Sequence, residues 1–191
     1  MFRRSPSPIR AAKPARHLSR LLAVVALAVP ALLVAASPAR ADFTPSDGGA
    51  YYLRQFVSEK CLDVTAAQPG NGTYLQQWDC SPEWNQQFVF SEPGSPTGER
   101  SWKIKPRFVQ SRCLDAKDGV HYSTRIQIWD CHVGWQQRWV VRGVRGYAGA
   151  YTLHAAYLPN YCLTIRQPSG GNGQIAETAP CNGTFGQMWR S

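Results

Sequence analysis

The 191-residue chain contains two methionines, four histidines and only 17% charged residues. Beyond residue 41 it has no apolar run long enough to cross a bilayer, which takes about 20 residues, so no membrane anchor is expected there. No amphipathic 3.6-residue period is visible after Ala41, which excludes a helical bundle. There is no G-x-S-x-G and no C-x₂₋₄-C pair, the local signatures of a nucleophile elbow and of most structural zinc sites. The histidines after residue 41 are His121, His132 and His154, and none stands at metal-ligand spacing from another. No metal, cofactor or catalytic set is therefore expected.

Positive charge is also scarcer than it looks. Arg3, Arg4, Arg10, Lys13, Arg16 and Arg20 precede an apolar run from Leu21 to Ala36, broken by Pro30, and Ala39-Arg40-Ala41 ends it with small residues. This order reads as a secretory signal peptide over residues 1–41. Its removal takes seven of the 21 basic residues and no acidic one, leaving 14 against 12, so the balance falls from +9 to +2 over 150 residues. A phosphate-neutralising face is excluded on that count, and no nucleic-acid partner is expected. Lys103, Lys105, Arg107 and Arg112 read as a solvated strand face.

What the chain does have is six cysteines, all after residue 41, as suits an exported protein in an oxidising compartment. Cys61 and Cys80, Cys113 and Cys131, and Cys162 and Cys181 are separated by 19, 18 and 19 residues, and the first of each pair recurs after 52 and 49. Each second cysteine is followed six residues later by glutamine and eight later by an aromatic: Gln86 and Phe88, Gln137 and Trp139, Gln187 and Trp189. Each first cysteine opens "CLDV", "CLDA" or "CLTI". Self-similarity of this period signals a repeated structural unit. The parsimonious pairing is one bridge inside each copy, worth roughly 3 kcal/mol for a loop of that length. Units of about fifty residues gain from such a staple, because they bury too little surface to stand alone.

Within the first copy, strands are expected over Tyr51–Val57, Cys61–Val64, Thr73–Asp79 and Gln86–Phe90, with turns at Gly70-Asn71-Gly72 and Ser81-Pro82-Glu83. Four strands in each of three copies make twelve. "SEPGSPTGERS" (Ser91 to Ser101) and "RGVRGYAGA" (Arg142 to Ala150) read as linkers.

These landmarks resemble those of the ricin B-type β-trefoil lectins, carbohydrate-binding modules of family 13, from about Tyr51 to Arg190. The resemblance implies an all-β β-trefoil domain over residues 42–191. In that fold a six-stranded barrel is closed by three hairpins about a pseudo-threefold axis, with the Q-x-W aromatics in the shared core.

"LQQWDC" (Leu75 to Cys80) returns as "IQIWDC" (Ile126 to Cys131) and fails to return as "AETAPC" (Ala176 to Cys181). In the second version Ile126 and Ile128 share one strand face while Gln127 and Trp129 share the other, so Trp129, and by analogy Trp78, should be accessible. An indole packs on the C–H face of a sugar ring, while carboxylates and carboxamides bond the hydroxyls around its rim. The first copy offers Asp63, Gln76, Trp78, Asn85 and Gln86 for this purpose. The second offers Asp115, Gln127, Trp129, Gln136 and Gln137, with Gln136 longer than the asparagine of the family pattern.

In the third copy Thr164, Glu177, Ala179 and Gly186 replace the acid, amide, tryptophan and asparagine, so it should fold without binding in this way. The glutamines Gln86, Gln137 and Gln187 persist even there, which points to a structural bond as well. Asp79 and Asp130 track the tryptophans and could serve either site or turn. Asp63 and Asp115 lie in different copies, about a third of a turn apart, too far for the roughly 5 to 10 Å of a glycosidase pair. The expectation is a secreted, extracellular, non-catalytic binder of galactose-like or plant-polysaccharide sugars. The alternative is a targeting subunit that docks to a separately encoded hydrolase or toxin chain.

Overall fold

A computed structural model describes residues 43–168 and 170–191; the signal peptide expected over residues 1–41 lies outside them. Among the described residues there are thirteen strands and no α-helix. The first repeat carries β1 (Ala50–Tyr52), β2 (Arg54–Gln55), β3 (Cys61–Val64), β4 (Thr73–Trp78) and β5 (Gln87–Gly94). The second carries β6 (Ser101–Pro106), β7 (Arg112–Ala116), β8 (Thr124–Asp130) and β9 (Trp139–Gly143). The third carries β10 (Tyr151–Ala155), β11 (Leu158–Ile165), β12 (Gln174–Pro180) and β13 (Trp189–Arg190).

The thirteenth strand arises because the first strand of the first repeat is split. Ala50–Tyr52 pairs with Val89–Gln87 on one side, then Arg54 and Gln55 pair with Arg190 and Trp189 on the other. Leu53, fully buried, is the residue at which the backbone changes partners, and its carbonyl accepts the Leu62 N–H at 2.8 Å. The linkers are also shorter than the sequence suggests. β5 runs on to Gly94 and β6 begins at Ser101, while Arg142 and Gly143 belong to β9.

Pairing divides the strands into two closed rings. The succession β1, β5, β6, β9, β10, β13 and β2 closes a six-stranded barrel, since β2 continues β1. The hairpins β3/β4, β7/β8 and β11/β12 pair with one another in a triangle across one end. This is a β-trefoil. Alternation along the strands directs one apolar set inward, and Leu53, Leu62, Leu75, Phe88, Ile104, Leu114, Ile126, Trp139, Leu163 and Trp189 make one continuous core.

The Q-x-W aromatics join that core through a second device. The indole N–H of Trp139 donates to the Leu114 carbonyl at 3.2 Å, and that of Trp189 to the Leu163 carbonyl at 3.3 Å. Each indole thus ties the end of its repeat to the "CL" of the same repeat and has its own buried N–H paired. Disulfides Cys61–Cys80, Cys113–Cys131 and Cys162–Cys181 staple each hairpin at its open end. The His154 ring lies against the third bridge, its Nδ1 3.3 Å from Cys181 Sγ, but both sulfurs are covalently paired and offer no thiolate to a metal.

The basic cluster departs from the expected solvated face at Lys103. Lys103 and Lys105 converge on Glu92 at 2.6 and 2.7 Å, and Lys103 is buried. Arg107 lies over the Trp84 ring, and Arg112 pairs with Asp130. Lys103 is the buried member, and there an unpaired ammonium would be too costly; Arg107 is exposed, and the partners Glu92, Trp84 and Asp130 lie at the surface.

Candidate functional site

The acid of "CLDV" faces away from the barrel core, on the outer side of its hairpin. Asp63 stands across the ladder from Gln76, and Asp115 occupies the same rung opposite Gln127. Both acids are almost wholly buried, 4% and 3% exposed, so their oxygens must be bonded. Asp63 accepts from Gln76 Nε2 at 3.0 Å, Asn85 Nδ2 at 2.8 Å and Gln86 Nε2 at 2.9 Å. Three amide donors, one on β4 and two from the adjacent residues Asn85 and Gln86, fix the plane of one carboxylate, which borders a cleft.

That cleft has a volume of about 750 Å³ and is flanked by Trp78, 43% exposed. Asp63, Gln76, Trp78, Asn85 and Gln86 all border it, so the five residues of the first copy are brought together. Sequence reasoning missed the opposite wall, Thr65-Ala66-Ala67, where Ala66 and Ala67 both have φ of 51°. A side chain with a Cβ is strained there by roughly 1–3 kcal/mol per residue. Alanine does not announce a left-handed backbone, so no sequence signal marked the turn. In the second repeat the equivalent turn is Asp118-Gly119, with φ of 58° and 102°, a pair that does signal it.

The second cleft is smaller, about 250 Å³, and is lined by Asp115, Gln127, Trp129 and Gln136 together with Lys117, Asp118 and His132. Trp129 is 40% exposed. Gln127 and Gln137 each donate to Asp115 at 3.0 Å, but the third donor differs. Gln136 makes no bond to Asp115; instead His132 Nε2 lies 3.7 Å from Asp115 Oδ2. The ring folds back because Gly134 has no side chain to obstruct it, a Cβ there falling 2.3 Å from His132, and the Gly134 N–H donates to His132 Nδ1. His132 was not among the sequence candidates, since its role depends on the neighbouring glycine.

The glutamines of Q-x-W carry two loads. Gln86 donates to the Asp79 carbonyl and accepts from Ser81 N–H; Gln137 does the same with Asp130 and His132, and Gln187 with Pro180 and Asn182. The brace recurs in all three repeats, and the extra bond to an acid occurs only in the first two.

Asp79 and Asp130 belong to latches between repeats. Asn172 donates to Asp79 Oδ2 at 2.9 Å and accepts the Asp79 N–H at 3.0 Å. Asn71 and Asp130 repeat the exchange at 2.6 and 2.8 Å. Lys60, and then Asn172, hold the Asp79 carboxyl below its ordinary range. Asp79 also borders the first cleft.

The third repeat replaces this arrangement. Thr164 takes the rung of the acid and Glu177 that of the amide, while Gly186 stands where Asn85 reaches Asp63. A Cβ on Gly186 would lie 2.4 Å from the Ile165 carbonyl oxygen, so the backbone itself has closed on the space an asparagine needs.

The family described as ricin-type beta-trefoil lectin domain matches residues 49–148. Among solved structures, a designed threefold-symmetric protein, ThreeFoil, is 23% identical with a TM-score of 0.66, covering 74% of this chain and 96% of its own. The ricin B-like lectin of Macrolepiota procera, in complex with lactose, is 15% identical with a TM-score of 0.64, covering 78% of this chain and 97% of that one. An exo-β-1,3-galactanase from Clostridium thermocellum is 24% identical with a TM-score of 0.65; the match covers 78% of this chain and only 30% of the enzyme. At such identities the likeness concerns the fold.

Proposed function

The chain belongs to the ricin-type β-trefoil lectin family, and we propose that it is a secreted, non-catalytic carbohydrate-binding protein acting through its first repeat and, more weakly, its second. The carrying observation is Asp63, held by three amides at the base of a cleft walled by Trp78. A fixed acceptor beside an exposed indole suits a ring with vicinal hydroxyls on one edge and a C–H patch on its face. Galactose-like sugars and plant polysaccharides are the ligands proposed. The second site has the same acceptor and indole, but a smaller cleft and a histidine where the asparagine amide would be. The third repeat supplies no site of this construction. Two sites on one rigid body gain chiefly through avidity on multivalent glycans.

Export is supported by three disulfides, which persist in an oxidising compartment. A binding role without catalysis is supported by the engagement of Asp63 and Asp115 with amide donors. A second reading, a targeting subunit for a separately encoded hydrolase or toxin chain, is favoured by the galactanase, in which a domain of this fold is 30% of a larger enzyme. A glycan array tests the proposal directly, with Trp78→Ala as control. Array binding that Trp78→Ala lowers about tenfold or more supports it; binding that persists unchanged in the variant overturns the site. New reducing ends from incubated polysaccharide would overturn the non-catalytic reading.

A further inference from the structure

The third repeat departs from the other two at Thr164, Glu177, Ala179, Pro180 and Gly186, and all five line one cleft. Thr164 and Glu177 face each other on the rung that holds Asp63 and Gln76 in the first repeat, so the carboxylate has moved to the opposite strand of the hairpin. Glu177 is nearly as buried as Asp63, and it too is fixed: Arg166 Nε donates to Oε1 at 2.5 Å and Ser123 Oγ to Oε2 at 2.8 Å. Ser123 comes from the second repeat. It stands where the first and third repeats have Gly72 and Gly173, and it adopts the same left-handed backbone, φ 62° against 83° and 84°. A residue with a Cβ is strained in that conformation, and the hydroxyl it brings is the one that holds Glu177.

The neighbouring residue completes the set. Tyr122 occupies the place of the latch asparagines Asn71 and Asn172, and the strand it would have latched carries Pro180, which has no N–H to give. Released from that duty, Tyr122 is 61% exposed, carries Arg166 over its ring at 5.4 Å, and borders a cleft of about 420 Å³ with Thr164, Arg166, Glu177 and Thr184. The aromatic wall lost at Ala179 is thus replaced from the adjacent repeat.

We propose that this third cleft is a saccharide site of inverted construction. Glu177 accepts sugar hydroxyls from the opposite strand, Arg166 donates to ring or hydroxyl oxygens, and Tyr122 packs on the C–H face. A carboxylate acceptor, a guanidinium donor and an exposed aromatic ring supply the same three functions as Asp63, its amides and Trp78. They are mirrored across the ladder, so the site should favour a different sugar from the first cleft. This goes beyond the proposed function, because no residue is shared with the first two clefts.

The test is NMR titration of the isotope-labelled full chain with lactose, xylobiose or glucuronic acid at millimolar concentrations. The expected result is a saturable shift of the Arg166 Nε–Hε and Ser123 amide signals with lactose or xylobiose. That shift should survive in the Trp78→Ala/Trp129→Ala double variant and in Tyr122→Phe, and weaken about tenfold in Tyr122→Ala. Ser123→Gly, which relieves the strained backbone and frees one oxygen of Glu177, should weaken it too while leaving the fold intact. No shift with either neutral sugar, a response to glucuronic acid alone, or a shift indifferent to Tyr122→Ala would each overturn the proposal. The indole N–H signal of Trp78 reports the first cleft in the same titration, so failure there is distinguishable from failure at the third.

Discussion

The first and third repeats share a scaffold and differ in what they mount on it. Both have the disulfide, the inward leucine of "CL", the glutamine brace and a buried aromatic at the end. Only the first has an aspartate anchored by three amides beside an exposed tryptophan. The difference teaches that in this molecule folding and the proposed recognition are carried largely by alternate residues of the same strands. One face of the ladder meets the core and the other meets solvent, so either can change without the other.

The strongest way to break that separation is to exchange a tryptophan of each kind. Trp139→Ala removes a fully buried indole and its bond to Leu114, and should cost about 3–5 kcal/mol of stability by denaturant titration. Trp129→Ala, ten residues earlier, should cost about 1 kcal/mol or less because Trp129 lies at the surface, 40% exposed, and outside the core. Equal losses would mean that site and scaffold are not separable.

Restoring the first repeat's asparagine in the third should also fail. Gly186→Asn places a Cβ against the Ile165 carbonyl and is expected to destabilise by about 1–3 kcal/mol without creating a site like that of Asp63. A stable variant with a new affinity for the first cleft's sugar would show that the backbone yields more easily than its geometry implies. In the first repeat, Trp78→Ala should lower glycan affinity about tenfold or more, roughly 1.4 kcal/mol, with the thermal midpoint nearly unchanged.

Smaller again is the latch. Asn71→Ala removes both bonds to Asp130 and is expected to cost about 0.5–1.5 kcal/mol, read by thermal unfolding. The third repeat, whose equivalent position is Pro180, shows that the fold tolerates a missing latch. The smallest effect concerns acid. Lys103 and Lys105 hold the Glu92 carboxyl down to about 2 from 4.5. Its contribution is therefore present above pH 4.5 and is lost as pH falls through about 2. Glu92→Gln should flatten the stability profile between those values and lower stability only slightly at neutral pH, since Glu92 is exposed and its ion pairs are screened.

Much of this was legible in local patterns. The cysteine spacing located three hairpins because a disulfide needs its two residues abreast, and Cys61↔Trp78 and Cys113↔Trp129 pair two residues before the closing cysteine. The alternation of Ile126, Gln127, Ile128 and Trp129 separated core from site because a strand has a period of two. The first linker was misjudged because Ser91-Glu92-Pro93-Gly94 carries turn residues, yet it pairs with β6 through an irregular register between Ser91 and Gly94. His132 was missed because its reach depends on the space left by Gly134, and Lys103 because its counter-charge lies on another strand.

The sequence alone determined the repeat, its disulfides and the alternation that leaves Trp78 and Trp129 outside the core, since each follows from contacts within one repeat. Only the tertiary structure decided how the repeats meet. Asn71 finds Asp130 across 59 residues and Asn172 finds Asp79 across 93, while Tyr122 and Ser123 serve a cleft in the next repeat. Such contacts join residues that no local period relates, and they exist only once the barrel has closed and brought the last repeat against the first.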